Sequence, residues 1–301
     1  FLKYLIRKIV KAIFFMVYIL PRKVQYFLGY CIGILWFDVL RIRRKVIFEN
    51  LDKAFPTMSL KEKTKIARAS CVNLGMTYIE FMRLRFINKQ HLDEFKVHGL
   101  EHLRAAQAKK KGICLLTLHL GNGDYACAGF ALMGNPLVLI SKEFKVKWLN
   151  DVWFNMRKRF GMTFIKPRRS SYDILKSLKN NKTVIFVMDQ FMGPPIGVES
   201  TFFGHPTGSA MGLALMAQRA ESPVVPIYTY RNKMGETEIH LFEEIKFEEK
   251  SSKQETLTHM TQVYQDKLEE FVRKHPDQWL WVHRRFKPFI REPKTLSDKK
   301  L

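Results

Sequence analysis

Between Phe95 and Tyr230 the chain alternates short, unbroken apolar runs with stretches of helical periodicity, a pattern few folds accept. The runs lie at residues 95–98, 113–118, 137–140, 163–165, 183–188 and 224–230. Strands that are apolar on both faces are what a sheet covered on both sides requires. Helical stretches at 100–109, 125–132, 146–160, 172–180 and 210–220 fill the intervals. The class this predicts is α/β: an open, mostly parallel sheet flanked by helices. Residues 238–242 alternate polar and apolar and are expected to pair at an edge, and 253–274 reads as a final helix. GPPIG at 193–197 is the clearest loop. The first 90 residues read as helical, with a long candidate at 60–85 interrupted by Gly75.

Charge bears on what the N-terminal part meets. The chain carries 51 Lys and Arg against 28 Asp and Glu, a formal charge of +23. Such a balance points to an anionic partner: a membrane surface, a phosphorylated substrate or nucleic acid. FLKYLIRKIVKAIFFMVYIL sets Lys3, Arg7, Lys8 and Lys11 in one arc, with Leu2, Leu5, Ile6, Ile9, Ile13 and Val17 over much of the rest. That is the pattern of a basic amphipathic helix lying in a bilayer interface. Pro21 breaks it, and the next uncharged stretch, 24–37, has 14 residues, short of the roughly 20 a span needs. A buried helical hairpin fits the same residues. No small-residue cleavage site follows, so a removed signal peptide is not expected. Residues 1–45 are therefore read as membrane-associating helices, 46–290 as one catalytic domain and 291–301 as a basic, disordered tail. Cys31, Cys71, Cys114 and Cys127 form no CxxC pair. Neither zinc nor a disulfide framework is supported, and a reducing, cytosol-facing location is expected.

HLGNGD, His119 to Asp124, follows the run GICLLTL and leads into a helix expected from Tyr125. Functional groups of an open α/β sheet gather beyond the carboxyl ends of its strands. Gly121 and Gly123 allow a sharp turn, and the first amides of the helix are free to bind an anion. A neutral imidazole there can take a proton from an attacking hydroxyl, while a carboxylate on its other nitrogen fixes the tautomer. Base catalysis of this kind contributes about 10²–10⁴-fold. No Ser or Cys nucleophile stands in the loop, so the substrate is expected to supply it. By spacing alone, HxxxxD fits equally a strand-end histidine followed by an N-capping aspartate.

Other segments narrow the reading. HLGNGD resembles the H-x4-D/E motif of glycerolipid and lysophospholipid acyltransferases. NLDKAFP (50–56), DQ (189–190), TFFGHPT (201–207), PVVPIY (223–228) and HPDQWLWVHRRFK (275–287) resemble a narrower branch, the lipid A biosynthesis lauroyl/myristoyl acyltransferase family, which also takes in phosphatidylinositol mannoside acyltransferases. The resemblance covers roughly residues 45–288, and WLWVHRRFK is its most specific part. It implies a glycerolipid acyltransferase-like fold and an enzyme on the cytoplasmic face of the inner membrane. It also implies transfer of a fatty acyl group from acyl carrier protein, or acyl-CoA, to a hydroxyl of a phosphorylated lipid, with no cofactor beyond that co-substrate and no metal. His119 inherits the role of general base and Asp124 that of its partner. This branch often carries HxGNWE, so Gly123-Asp124 is a departure that leaves the acceptor open.

Further residues are assigned to substrate binding: Asn122 and Gly123 in the loop, Arg157 at a helix end, Lys166, Arg168 and Arg169 around Pro167, Asp189 and Gln190 at a strand end, and Phe203 as lining for an acyl groove. The cations suit phosphate, which Arg binds bidentately. Solvated surface charge, a turn cap and core packing are the corresponding structural roles. Thr207 and Ser209 are expected to cap the next helix, and Trp279 and Trp281 fit either a headgroup interface or a clasp on the C-terminus. Two rival functions lack their signatures. Nucleic-acid binding would bring zinc-finger spacing, an RRM signature or a recognition helix, and no such partner is expected. A serine hydrolase would need GxSxG. Lysophospholipid or phosphatidylinositol mannoside acylation is the alternative within the resemblance.

Overall fold

A computed structural model describes residues 2–143, 147–167 and 170–289. Arg168, Arg169 and the tail 291–301 lie outside the described residues. The N-terminal part is helical: α1 (Leu2–Ile19), α2 (Arg22–Ile34), a π-helical turn (Leu35–Val39), α3 (Arg44–Ala54) and α4 (Leu60–Arg83). α4 starts at a capping box, with Ser59 accepting from the Glu62 amide and the Glu62 carboxylate accepting from the Ser59 amide. It runs unbroken through Gly75.

The sheet follows: β1 (Phe95–His98), α5 (Leu100–Ala108), β2 (Ile113–Thr117), α6 (Gly123–Leu132), β3 (Leu137–Ile140), α7 (Lys147–Lys158), β4 (Thr163–Ile165), α8 (Ser171–Lys179) and β5 (Thr183–Val187). A hairpin, β6 (Gly197–Phe202) and β7 (His205–Ala210), then precedes α9 (Gly212–Ala220), β8 (Val224–Arg231), β9 (Thr237–Leu241) and α10 (Lys253–Lys274). Seven strands order as β1-β9-β8-β2-β5-β3-β4. All neighbours are parallel except β8 and β9. The class expected from the alternating pattern is the one observed. β9 is not at the edge, however: it pairs β8 on one side and β1 on the other, so its alternation reflects two differently covered faces. The β6–β7 hairpin was not expected, because Gly and Pro punctuate it throughout.

Along the parallel strands, successive side chains enter opposite layers. Cys114, Leu116, Val184 and Phe186 join a core completed by α8, α9 and α10. Ile113, Leu115, Ile185 and Val225 join a second core with α5, α6 and α7. All four cysteines are free.

α1 and α2 are packed onto this body through α4. Phe14 of α1 meets Phe81 edge-on at 6.1 Å. α2 meets α4 through glycines: a Cβ on Gly75 would stand 2.2 Å from the Gly29 carbonyl oxygen, and one on Gly33 would stand 2.3 Å from the Val72 Cα. Two backbones touch there as small residues permit between helices. The outward faces stay apolar, with Ile9, Ile13 and Met16 on α1 and Phe27 on α2 all exposed. Among the described residues no single helix is long and apolar enough to cross a membrane. The bent pair Arg22–Val39 and Arg44–Ala54, at 90°, reaches that length and composition together.

The glycine contact makes a prediction. Gly75→Leu forces α2 off α4 and destabilises the fold by about 1–3 kcal/mol, the range for overpacking. Thermal unfolding should shift to lower temperature, and limited proteolysis should cut first near residues 20–43.

Candidate active site

β2 and β5 are parallel neighbours with Thr117 opposite Val187. Two residues further along each strand stand His119 and Asp189, side by side at the carboxyl end of the sheet. The register alone delivers the pair. The Asp189 carboxylate accepts three hydrogen bonds: from the His119 backbone N–H (2.9 Å), from His119 Nδ1 (2.8 Å) and from the Trp279 indole N–H (2.8 Å). Because a carboxylate only accepts, Nδ1 carries the proton and Nε2 presents its lone pair. Asp189 is 3% exposed, while the His119 side chain keeps 40% of its surface open. Gln190 brings its side-chain amide to 3.5 Å from Nε2.

The electrostatics follow from this arrangement. Burial pushes the Asp189 carboxyl up, but the imidazole beside it and the donated hydrogen bonds outweigh burial and hold it at about 2. Burial pulls the His119 imidazole down; the Asp189 charge, its hydrogen bond and then the Asp124 charge win and raise it. Asp124 therefore lies within electrostatic reach of His119 without orienting it.

The expectation that Asp124 fixes the His119 tautomer is corrected on this point. Its carboxylate is drawn the other way, into an ion pair with Arg157 of α7. Arg157 is buried, its second nitrogen donates to the Ser141 hydroxyl at 3.4 Å, and its guanidinium lies 4.2 Å above the Trp153 ring. The expected phosphate ligand is thus a clamp on Asp124. α6 begins at Gly123, two residues earlier than expected, and its N-cap is Asn122 rather than Asp124. Asn122 is buried with both ends of its amide engaged. Its oxygen accepts from the Tyr125 amide, and its nitrogen donates to Glu80, which pairs with Arg231 at 2.6 Å. This makes Asn122 a structural tie rather than a substrate contact. Gly121 has φ +59° and rests on β8, where a Cβ would meet the Thr229 carbonyl oxygen at 2.6 Å; a side chain at Gly123 would meet nothing within 4 Å.

Other expected site residues are dispersed. Lys166 follows the edge strand β4 and is exposed, paired with Glu143 at 3.0 Å. Phe203 is not in an open groove: it is buried against Phe55 at 5.4 Å and beneath the Arg273 guanidinium at 4.4 Å. Thr207 and Ser209 cap no helix. They lie in β7, where the Thr207 hydroxyl donates to the Arg285 carbonyl and Ser209 accepts from the Arg285 guanidinium. The group of described residues able to share a metal, His98, Glu238 and His240, sits on β1 and β9, two or more strands from His119.

The C-terminal segment is what sequence reasoning left undecided. It runs behind the HLGNGD loop: Gly121 donates to the Gln278 carbonyl, Leu280 donates to the His119 carbonyl, and Leu120 bridges Trp279. Trp279 and Trp281 are both buried, so neither faces a headgroup layer. Asn50 donates to the carbonyls of Trp281 and His283, both at 2.7 Å. Arg285 is fully buried among neutral oxygens of Gly208, Ser209 and Gln265, and burial pulls its guanidinium down to about 10 against the Asp189 charge. Asp189, expected at a strand end as a substrate contact, is instead the buried partner of His119; the signal for that role was the equal offset of TLH and VMD from the ends of their strands.

A buried acid behind an open imidazole suits proton removal from a hydroxyl, and burial pushes the nearby Cys127 thiol up to about 12, which leaves it no thiolate role. A family model of bacterial lipid A biosynthesis acyltransferases matches residues 1–288. The chain belongs to that family. It is an acyltransferase, similar to the lipid A biosynthesis lauroyltransferase of Escherichia coli K12, 26% identical over 273 residues that cover 89% of this chain and 87% of that protein. The palmitoleoyltransferase of the same organism is 25% identical, covering 89% and 86%. A phosphatidylinositol mannoside acyltransferase of Mycobacterium tuberculosis H37Rv is 26% identical over 173 residues, 56% of this chain and 55% of its own.

Two predictions follow for this acyltransferase. If His119 acts as the base it must be neutral to do so, and its raised pKa should then place the acid limb of the rate profile above the ordinary value of about 6.5. Asp189→Asn removes the main raising charge, so that limb should move to lower pH while kcat falls by roughly 10²-fold or more; a pH profile of both proteins checks this. Trp279→Phe removes one of the three donors to Asp189 and should cost about 1–3 kcal/mol of stability, measurable by denaturant titration.

Proposed function

We propose that the protein transfers a fatty acyl chain from acyl carrier protein, or from acyl-CoA, to a hydroxyl of a phosphorylated, lipid A-type glycolipid held in a membrane. The observation that carries the reading is the His119–Asp189 pair, with Nε2 on the open side. In this scheme Nε2 takes the acceptor hydroxyl proton as the oxygen attacks the thioester carbonyl. The carbon–sulfur bond then breaks, and the departing thiolate recovers the proton from the imidazolium. The products are an ester and a free thiol, with no acyl-enzyme and no further cofactor. Asp189 stabilises the imidazolium formed in between. Gln190 and the first amides of α6 would donate to the developing oxyanion, and the Arg157–Asp124 clamp would keep a negative charge near the base.

The names of the relatives support the acceptor class, and the charge of +23 suits phosphates on the acceptor and an anionic leaflet. The exposed apolar faces of α1 and α2 support docking on a bilayer. We assign residues 1–45 to that docking, 46–290 to catalysis, and the enzyme to the cytoplasmic face of the inner membrane.

The test is product analysis. The purified protein, offered labelled acyl carrier protein and a phosphorylated disaccharide lipid, should yield an acceptor heavier by one acyl group, read by mass spectrometry. His119→Ala should remove most turnover, by about 10²–10⁴-fold, with folding and vesicle binding retained. Acylation of an inositol mannoside lipid instead, or full activity in His119→Ala, would replace the reading.

A further inference from the structure

A cavity of about 540 Å³ opens between α2, α4 and the β8–β9 turn, within the roughly 300–1,000 Å³ common for small-molecule sites. None of the residues around His119 lines it. Its floor is apolar, formed by Val72 and Met76 of α4 with Tyr26 of α2. Its walls carry four cations, Lys65, Arg68, Arg231 and Lys233, against one acid, Asp277. Two of these cations are committed: Arg231 to buried Glu80, and Arg68 to Asp38 at 2.9 Å. Lys65 and Lys233 have no ion-pair partner among the described residues. They face the cavity from opposite elements, one on a helix and one on a hairpin turn.

The cavity is held open by its frame. The glycine contact fixes α2 on α4, and the Tyr26 hydroxyl donates to the Gly235 carbonyl at 2.6 Å, tying α2 to the turn. The lining includes exposed apolar surface, Tyr30 at 49% and Met234 at 77%, and the outer face of α2 next to it exposes Phe27 at 63%. A soluble anion would use the cations and leave that surface idle. A lipid uses both.

We propose that this cavity seats an anionic phospholipid, its phosphate held between Lys65 and Lys233 and its chains running over the Val72–Met76 floor onto the outer face of α2. The site is separate from the acyl-transfer crevice and rests on the membrane docking inferred for the N-terminal helices. It also reaches the catalytic loop, since Asn73 and Gln278 line the cavity and both contact the backbone of Gly121.

Cosedimentation of the purified chain with phosphatidylcholine vesicles, with and without phosphatidylglycerol, tests the seat without any turnover. The double variant Lys65→Glu/Lys233→Glu should lose about tenfold in affinity for the phosphatidylglycerol vesicles. The control Lys110→Glu/Lys182→Glu makes the same charge change just ahead of β2 and β5, at the opposite end of the parallel strands, and should lose much less. Ala69→Trp fills the cavity without altering charge and should also weaken binding, with circular dichroism showing that it folds. Equal losses in the two charge-reversed pairs, or wild-type binding by Ala69→Trp, overturn the proposal and leave the docking intact. Failure of the wild type to bind either vesicle overturns both. Saturable binding of free glycerol phosphate with no preference for vesicles overturns the lipid assignment.

Discussion

The buried carboxylate of Asp189 is the point on which the site depends. An isolated carboxylate at 3% exposure would be costly to ionise. Here it stays charged because three N–H groups from two distant parts of the chain converge on it. Two come from one residue, so Asp189 fixes both the backbone and the ring of His119. The third comes from buried Trp279, which ties the C-terminal segment to this acid. The imidazole is thus set in one tautomer by its surroundings, and its other nitrogen meets the solvent side.

That convergence explains why the family's motifs are scattered along the sequence yet occur together. Asn50 anchors the carbonyls of Trp281 and His283; the β7 residues Thr207, Gly208 and Ser209 hold Arg285; Gln265 of α10 accepts from the same guanidinium. Each of these contacts holds the C-terminal segment, and that segment holds Asp189 and the HLGNGD backbone. Arg285 balances the arrangement electrostatically, as a buried cation whose hydrogen bonds all go to neutral oxygens while the nearby charge of Asp189 favours it. The motifs form one scaffold behind His119 rather than several separate surface features.

The sheet was legible because burial on both faces leaves an unmistakable pattern: Ile113 to Leu116 and Val184 to Phe186 have no polar face at all. His119 was legible for the same reason, as the first charged or hydrogen-bonding ring after such a run. Its partner was misread because proximity in sequence favoured Asp124, five residues away, over Asp189, seventy residues away. Only the strand order, with β5 beside β2, makes the distant acid the nearer one. Arg157 looked like a free helix end because nothing local shows that α7 turns it onto Asp124. The β6–β7 hairpin escaped notice because its glycines and prolines suit a loop as well as a ribbon closed by long-range contacts.

One consequence follows from the position of Trp279, ninety residues beyond Asp189. The register of β2 and β5 sets histidine beside aspartate, but the indole that completes the acid's hydrogen bonds comes from a separate segment. The pairing and the latch are therefore independent parts, and the second can be loosened while the sheet keeps its order.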